Sequence, residues 1–438
     1  MYVHAGPYGR PLVTDSPVYR DQAELQTRQL RLLNERRMRL RQSVRKTRPN
    51  YFILVPTLRC NIRCDYCQVS RVAEHAKGFD WDESLAEQIL TFVLEASAPE
   101  VTLEFQGGEP LLRLDIIEMF RARMIAAGKS VKIVICTNLQ TVSDAAWSFL
   151  QKTDVLISSS FDGTWAAHDQ LRTQDAKKLE DFRGNLVRAL QEFGNDRVSL
   201  VSTLDPLDPP PASEIIRSAR ELGISGLFLR PINYQGFARK AFRDAKEDQR
   251  WDRYYLDFID TLIAHNLQSD TILGEYYFGY ILRRILDPRR GEHVDLRNPS
   301  WLAHDYLVID EKGAIFPTDE ARMLFRTGQI DLRVGHAAMG LDHEVVDQLN
   351  VHADNRSDPD CATCVYQSVC GRDLVDDLSR YGRIDGSRHD TRHCQRHLSI
   401  FDHVMRKLAS APEDELHIMG RMAGLSSLDA SVYRVHHG

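Results

Sequence analysis

The stretch Tyr51-Phe52-Ile53-Leu54-Val55-Pro56-Thr57-Leu58-Arg59-Cys60-Asn61-Ile62-Arg63-Cys64-Asp65-Tyr66-Cys67 sets an apolar run directly before three closely spaced cysteines. The run reads as a buried strand, since strands covered on both faces are apolar almost throughout. Cys60, Cys64 and Cys67 follow in a C-x3-C-x2-C spacing. Three thiolates on one short loop suit three irons of a [4Fe–4S] cube. With no fourth cysteine nearby, one iron keeps an open coordination position, as catalytic metal centres do. The loop sits at the C-terminal end of a strand, where α/β folds place their chemistry. The alternative is a three-cysteine zinc site completed by a distant His, which leaves the companion motifs below unexplained.

Working outward, strand-like runs at 51–56, 101–105, 131–136, 155–161, 197–203 and 226–231 alternate with helical patterns. In 82–96, Leu85, Ile89, Phe92, Val93 and Ala96 share one helical face. Ile116, Met119, Phe120 and Met124 repeat that spacing in 115–126. A further helix is expected over 214–222, capped by Ser213 and closed by Gly223. Strand-then-helix units in succession imply a parallel sheet with right-handed crossovers. Six such units fall short of a closed eight-unit barrel. The expected fold class is therefore α/β, a partial (β/α)6 TIM-like barrel, whose lateral opening could admit a large substrate.

The chain has 438 residues, with 56 Lys+Arg against 62 Asp+Glu, a net charge of −6. That balance argues against a nucleic-acid binder, which needs a basic surface. At 43% hydrophobic and 27% charged residues the composition is that of a globular protein. No apolar run reaches the ~20 residues of a membrane span, and the first residues carry no secretory signal. These features fit a cytoplasmic protein, in which cysteines serve metals more than disulfides. The eight cysteines fall at 60, 64, 67, 136, 361, 364, 370 and 394. Cys136, inside Val131–Cys136, reads as a small core residue. The late group, Cys361-x2-Cys364-x5-Cys370 and then Cys394, is enough for one complete [4Fe–4S] cluster or for a zinc ribbon.

Companion motifs stand at the ends of successive strands. Gln106-Gly107-Gly108-Glu109-Pro110 follows the second strand, and adjacent glycines let a ligand approach the backbone. Thr137-Asn138 follows the third, and Ser160-Phe161-Asp162-Gly163, then His168 and Arg172, follow the fourth. With the cysteine loop, this ensemble resembles the radical S-adenosylmethionine (radical SAM) enzymes over about residues 50–235. The resemblance implies that Cys60, Cys64 and Cys67 ligate a catalytic cluster whose open iron is chelated by S-adenosyl-L-methionine (SAM). It implies further SAM contacts from Tyr66, Gly107, Gly108, Glu109, Pro110, Thr137, Asn138, Ser160, Asp162 and Arg172. Tyr66 would read adenine through its backbone, Gly107 to Glu109 would hold the ammonium, Ser160 and Asp162 would lie near the ribose, and Arg172 would meet the carboxylate. The implied chemistry is reductive cleavage of SAM to a 5′-deoxyadenosyl radical that abstracts hydrogen, with the protein supplying orientation and exclusion of water.

Downstream of such a core, Cys361, Cys364, Cys370 and Cys394 resemble a SPASM domain, the Fe–S extension of peptide and protein maturases. Thr318 and Leu374 stand where that family has cysteines for a second, inner auxiliary cluster, so two [4Fe–4S] clusters are expected in all, one catalytic and one auxiliary. In sulfatase-maturing relatives an Asp at the place of Asp319 is a general base, which makes Asp319 a candidate catalytic acid/base, next to the reading of an ordinary turn residue after a 306–317 hairpin. Ile53–Cys60, Cys67–Arg71, Ile135–Leu139 and Phe228–Pro231 resemble the His-Xaa-Ser system radical SAM maturases. That resemblance implies a small precursor peptide, with His-x-Ser repeats, as substrate, companion maturation proteins and an external one-electron donor, with no nucleic-acid or membrane partner. The expected product is an oxidative modification such as a cross-link. The alternatives are sulfatase-maturase-like oxidation of Ser or Cys in a protein partner, and a non-catalytic Fe–S scaffold. The expected organisation is an Arg-rich helical segment at 1–49, the core at 50–237, a helical connector at 238–300, the SPASM-like domain at 301–410 and a C-terminal tail at 411–438. Leu30, Leu32, Leu33 and Leu40 form a weak apolar stripe in the first of these.

Overall fold

The computed structural model describes residues 2–5, 11–14, 30–40, 43, 48–232, 235–241, 249–287 and 301–425. Six parallel strands cross the main sheet in chain order: β1 Tyr51–Thr57, β2 Glu100–Gly107, β3 Ser130–Thr137, β4 Val155–Ser160, β5 Val198–Leu204 and β6 Gly226–Pro231. Each pairs only with its sequence neighbours within this set, as in a partial (β/α) barrel. The strands lie within two residues of the positions expected from the sequence.

Two faces of these strands differ. Leu103 and Phe105 of β2, Ile133 and Ile135 of β3 and Val155 and Ile157 of β4 are buried in one core with Ile89, Phe92, Phe120, Phe149 and Phe182 of the crossover helices. The intervening positions, Gln106, Cys136, Ser158 and Ser160 among them, are only half-buried. Period-2 alternation therefore separates a helix-covered face from a polar inner one. Cys136 lies on the polar face and gives its thiol to Glu104 Oε1 at 3.1 Å, so it is not the core residue expected.

The crossover helices begin where local chemistry allows. Glu83–Ala96 is capped by Asp82, whose carboxylate accepts from Leu85 N at 2.8 Å. Ala212–Glu221 starts after Pro211 and has no side-chain cap; Ser213 lies within its first turn, not before it. Its C-terminal end matches expectation. Gly223 has φ +68°, and Ile224 N bonds Ala219 O at 3.1 Å, closing the turn.

The sheet continues past the core. β7 Gly274–Glu275 adds in parallel to β6, and β8 Leu307–Ile309 adds in parallel to β1. β9 Ala314–Phe316 completes the expected hairpin, followed by β10 Gly335–His336 and β11 Gly340–Leu341. The order across the sheet is β7-β6-β5-β4-β3-β2-β1-β8-β9-β10-β11. Ile53 of β1 packs there with Val308, Phe316, Leu324 and Val375, so the expected boundary at 301 is bridged by both hydrogen bonds and core.

Helices Arg250–Leu267 and Tyr276–Leu286 fill the connector, burying Trp251, Tyr255, Phe258, Phe278 and Tyr280; residues 242–248 and 288–300 lie outside the described residues. The segment expected to be a tail from 411 instead opens with the helix Glu413–Met422, which buries Leu416, Ile418 and Met419; 426–438 lie outside the described residues. Of the Arg-rich segment expected to be helical, residues 30–40 form a helix, whereas Tyr2–Ala5 and Pro11–Thr14 pair as antiparallel strands. The helix docks through Asn34, Arg37 and Met38, while Leu32 and Leu33 are 57% and 53% exposed, so the leucine stripe is not its packing face. Among the described residues, no helix is long and apolar enough to cross a membrane.

Candidate functional site

The three early cysteines occupy the loop at the C-terminal end of β1. Arg59–Cys60 pairs with Val72–Ala73, which closes the loop at its base. Cys67 N bonds Cys64 O at 3.3 Å, a tight turn between those two ligand candidates. Burial pushes the Cys60 thiol up to about 12 and the Cys64 thiol to about 11, with Arg172 opposing the rise at Cys64. Burial also raises Cys67, against backbone N–H groups of Arg71, Val69 and Ser70 that favour its thiolate. Thiols so placed ionise readily only when a metal takes the charge. Among the described residues, Ser70 Oγ and Arg71 Nε beside this loop are buried and have no hydrogen-bond partner. The donor set, three thiols ringed by N–H groups and unpaired polar atoms, fits an Fe–S cluster.

The strand-end motifs close on this loop and make contacts within the protein. Gly107 has φ +128°, and a Cβ there would lie 2.1 Å from Thr57 O; at Gly108 it would lie 2.1 Å from Arg59 O. The two glycines thus admit the backbone of the cysteine loop itself, and Gly108 N and Glu109 N bond those same carbonyls at 3.0 and 2.8 Å. Pro110 opens the 3-10 turn Pro110–Arg113 that Glu109 caps. The Glu109 carboxylate is buried and accepts from Asn138 N at 2.8 Å and Leu111 N at 3.1 Å. Burial raises it to about 7, against these N–H groups and the Thr137 hydroxyl. It ties β2 to β3. Thr137 also accepts from Leu139 N at 3.1 Å. Asn138 donates to Asn61 Oδ1 at 2.8 Å and reaches Cys60 Sγ at 3.7 Å, so it braces the cluster loop.

Asp162 is fully buried, and its acceptor positions are taken in the same way. It accepts from Tyr66 OH at 2.9 Å, Arg172 Nε at 2.8 Å and Thr203 N at 3.2 Å. Burial pushes Asp162 up and Arg172 holds it back. The Arg172 guanidinium lies over the Tyr66 ring at 5.0 Å, and its Nη1 reaches Cys64 Sγ at 3.9 Å. Asp162 is therefore an anchor for Tyr66 and Arg172, and Arg172 faces a thiol as well as Asp162. Ser160 is half-buried on the inner face at the end of β4.

The four late cysteines, Cys361, Cys364, Cys370 and Cys394, all line one pocket. Asn34 Nδ2 holds Cys364 O at 3.2 Å and Asn355 Nδ2 holds Cys370 O at 2.9 Å, which fixes the loop. Cys394 lies in the first turn of the helix Arg392–Ser410, where the macrodipole favours a thiolate. Burial raises all four thiols, Cys370 and Cys394 to about 12. Among the described residues, no three His, Cys, Asp or Glu side chains converge as a single bound ion requires; a cube instead spreads its thiolates over separate irons.

Asp319 belongs to neither centre. It pairs with Arg322 Nε at 2.7 Å inside the protein, at the first position of the helix Asp319–Arg326. Thr318 is the N-cap of that helix, accepting from Ala321 N at 3.1 Å. The candidate acid/base is thus an ion-paired helix residue, and its neighbours Thr318 and Glu320 line the adjoining cavity instead.

Comparison with known proteins bears on this geometry. Residues 54–172 match the Radical SAM superfamily, a span from the middle of β1 to Arg172. The match takes in the three-cysteine loop and the strand-end motifs that follow it. A serine-type anaerobic sulfatase-maturating enzyme of Bacteroides thetaiotaomicron is 29% identical over 133 residues, which is 28% of this chain and 32% of that protein. An uncharacterized protein of Methanocaldococcus jannaschii is 26% identical over 115 residues, covering 26% of this chain and 38% of that one. The chain thus matches only about a third of the length of these curated relatives. Solved structures share the fold more widely. Native anSMEcpe with bound AdoMet and Cp18Cys peptide superposes with TM-score 0.65 at 14% identity, over 82% of this chain and 98% of that one. Streptococcus suis SuiB bound to precursor peptide SuiA gives TM-score 0.55 at 13% identity, over 83% and 80%. Sequence reasoning singled out the three cysteines of the loop but passed over Asn61, Thr203 and Glu104, whose contacts come from neighbours distant along the chain.

Proposed function

We propose that this chain is a radical SAM enzyme that modifies a ribosomally made peptide by hydrogen-atom abstraction. The observation that carries the reading is the junction of β1, β2, β3 and β4, where Cys60, Cys64 and Cys67 are held by Gly108, Asn138 and Arg172. When bound, a [4Fe–4S] cluster and SAM would supply the one-electron reduction and the 5′-deoxyadenosyl radical. The chain's own part is to position. Cys60, Cys64 and Cys67 would hold the cluster, Asn138 and Arg172 aim donors at its thiolates, and the Tyr66–Asp162–Arg172 network keeps the loop rigid. Cys361, Cys364, Cys370 and Cys394 would hold one auxiliary cluster. The substrate is a small precursor peptide, as SuiA is for SuiB in a structure of the same fold, and His-x-Ser repeats in it follow from the sequence resemblance. An external donor would supply the electron.

Anaerobic reconstitution tests the reading. About eight irons per chain and release of 5′-deoxyadenosine under reducing conditions are expected. Absence of 5′-deoxyadenosine from a protein that holds its irons overturns it. A second reading, oxidation of Ser or Cys in a protein partner, is favoured by the match to the sulfatase-maturating enzyme. Against it, Asp319 is tied up by Arg322. A formylglycine product on a Ser- or Cys-containing sulfatase peptide would establish that second reading.

A further inference from the structure

We propose that a cavity at the end of β6 recognises a carboxylate of the substrate, with Arg230 and Arg396 as the groups that meet it. The inference rests on the peptide reading above and names what that peptide must carry. The cavity, of about 280 Å³, is lined by Arg230 of β6 on one side and by Tyr306 and Thr318 flanking the β8–β9 hairpin on the other. Residues from 372 to 400 complete its wall beside Cys370 and Cys394. It is thus walled by the end of β6, by residues flanking the β8–β9 hairpin and by the segment that carries the late cysteines.

Five arginines line it: Arg230, Arg372, Arg380, Arg392 and Arg396. Three are spoken for. Arg392 holds both oxygens of Asp252 at 3.0 and 2.9 Å, Arg380 holds Asp376 at 2.8 Å, and Arg372 donates to Ile384 O at 2.6 Å. Arg396 reaches Asp252 only through Nε at 3.4 Å, on an oxygen that Arg392 already uses. Arg230 gives Nε to Thr203 Oγ1 at 3.1 Å. Among the described residues, the η nitrogens of Arg230 and Arg396 have no hydrogen-bond partner. A planar fork with both ends open matches a carboxylate in two-point contact. Of the three acids on the wall, Glu320, Asp373 and Asp376, the last two are engaged with their own helix: Asp376 with Arg380, and Asp373 as the cap of the helix Leu374–Tyr381, where it accepts from Asp376 N at 2.9 Å. Trp251, Tyr255 and Tyr277 supply an aromatic surface for the rest of the ligand.

Position gives the pocket its use. Thr203, which holds Arg230, gives its own N–H to Asp162, the anchor of Tyr66 and Arg172. A carboxylate seated at Arg230 therefore sets the neighbouring peptide residues beside the strand ends that carry the cysteine loop. The carboxylate could be an acidic side chain or a peptide C-terminus.

Three synthetic pentapeptides separate these sources: Ac-Ala-Tyr-Glu-Tyr-Ala-amide, its Gln counterpart, and the Gln peptide with a free C-terminal carboxylate. Affinities are measured by calorimetry on the anaerobically reconstituted full chain with SAM. At least one carboxylate peptide is expected to bind about tenfold or more tighter than the neutral Gln amide, the range of a charged hydrogen-bonded contact. Arg230→Gln and, independently, Arg396→Gln should each reduce that preference while leaving the neutral peptide's affinity unchanged; if one variant fails to fold, the other decides. Equal affinity of the three peptides for the wild type overturns the proposal. The same wild-type preparation is assayed for 5′-deoxyadenosine, so a catalytically competent protein without carboxylate preference sinks the pocket alone and leaves the enzyme reading standing.

Discussion

Replacing Asp162 by Asn tests whether the cysteine loop is braced from below. Asp162 is fully buried and takes donors from Tyr66, Arg172 and Thr203. Its partner Arg172 has a side chain only 10% exposed, so solvent cannot take over the pairing. Asn keeps the shape and one acceptor oxygen but removes the negative charge. Breaking one side of a buried ion pair costs roughly 3–5 kcal/mol, because the remaining charge is left unpaired. The retained acceptor puts the expected loss near the lower end, about 3 kcal/mol, which lowers Tm by roughly 3 °C for a chain of 438 residues. The assay is thermal unfolding of the metal-free chain, followed by circular dichroism. Reconstitution should then yield less iron at the Cys60–Cys67 loop, since Arg172 is no longer held over Tyr66 toward Cys64. Removing both charges, in Asp162→Asn with Arg172→Gln, should recover part of the lost stability. A single variant that melts within 1–2 °C of the wild type would refute the counter-ion role.

Other expectations follow from single contacts. Gly108→Ala forces a Cβ to within 2.1 Å of Arg59 O, so the variant should fail to load the first cluster or to fold; full iron content and a wild-type melting curve would contradict the close approach. Cys364→Ser with Cys394→Ser should lower iron by about four per chain while leaving uncoupled 5′-deoxyadenosine formation, and a loss of all iron would show that the two centres do not load separately. His168 is buried against Phe182 with ring centroids 4.1 Å apart, and burial holds its pKa well below 6.5. Its neutral form is therefore favoured in the folded state, and the stability it lends above pH 6.5 is lost as pH falls and the unfolded chain takes up the proton. His168→Phe should flatten the acid side of the stability profile, measured by denaturant unfolding from pH 7.5 to 5; an unchanged slope would disprove the assignment.

The strands were legible because apolar runs and their turn residues are local signals, and so was the loop spacing of the cysteines. The roles of polar residues were not. Glu109 and Asp162 stand where motif reasoning expects ligand contacts, and their carboxylates also accept from N–H and O–H groups that tertiary packing brings from Asn138, Tyr66 and Thr203. Gly107 and Gly108 signalled a close approach, but nothing local says that the approaching chain is Thr57 to Arg59 rather than a ligand. Thr318, by contrast, precedes Asp319-Glu320 as an N-cap precedes an acidic first turn. That local pattern was available in the sequence, and it accounts for Asp319 as a helix residue. Cys136 was misjudged because a run of apolar side chains hid the period-2 alternation of β3.

The parallel pairing of β8 with β1 has a consequence for how the molecule holds together. A chain ending near residue 300 would leave β1, the strand that delivers the cysteine loop, as a bare margin with the row Phe52 to Leu54 lacking its partners Leu307 to Ile309. Ile53 would lose its apolar cover at the same time. Such an edge recruits strands from other copies, so the shortened protein is expected to associate with itself before it binds iron. The late-chain hairpin is a selvedge, woven onto the sheet at the strand from which the cysteine loop hangs.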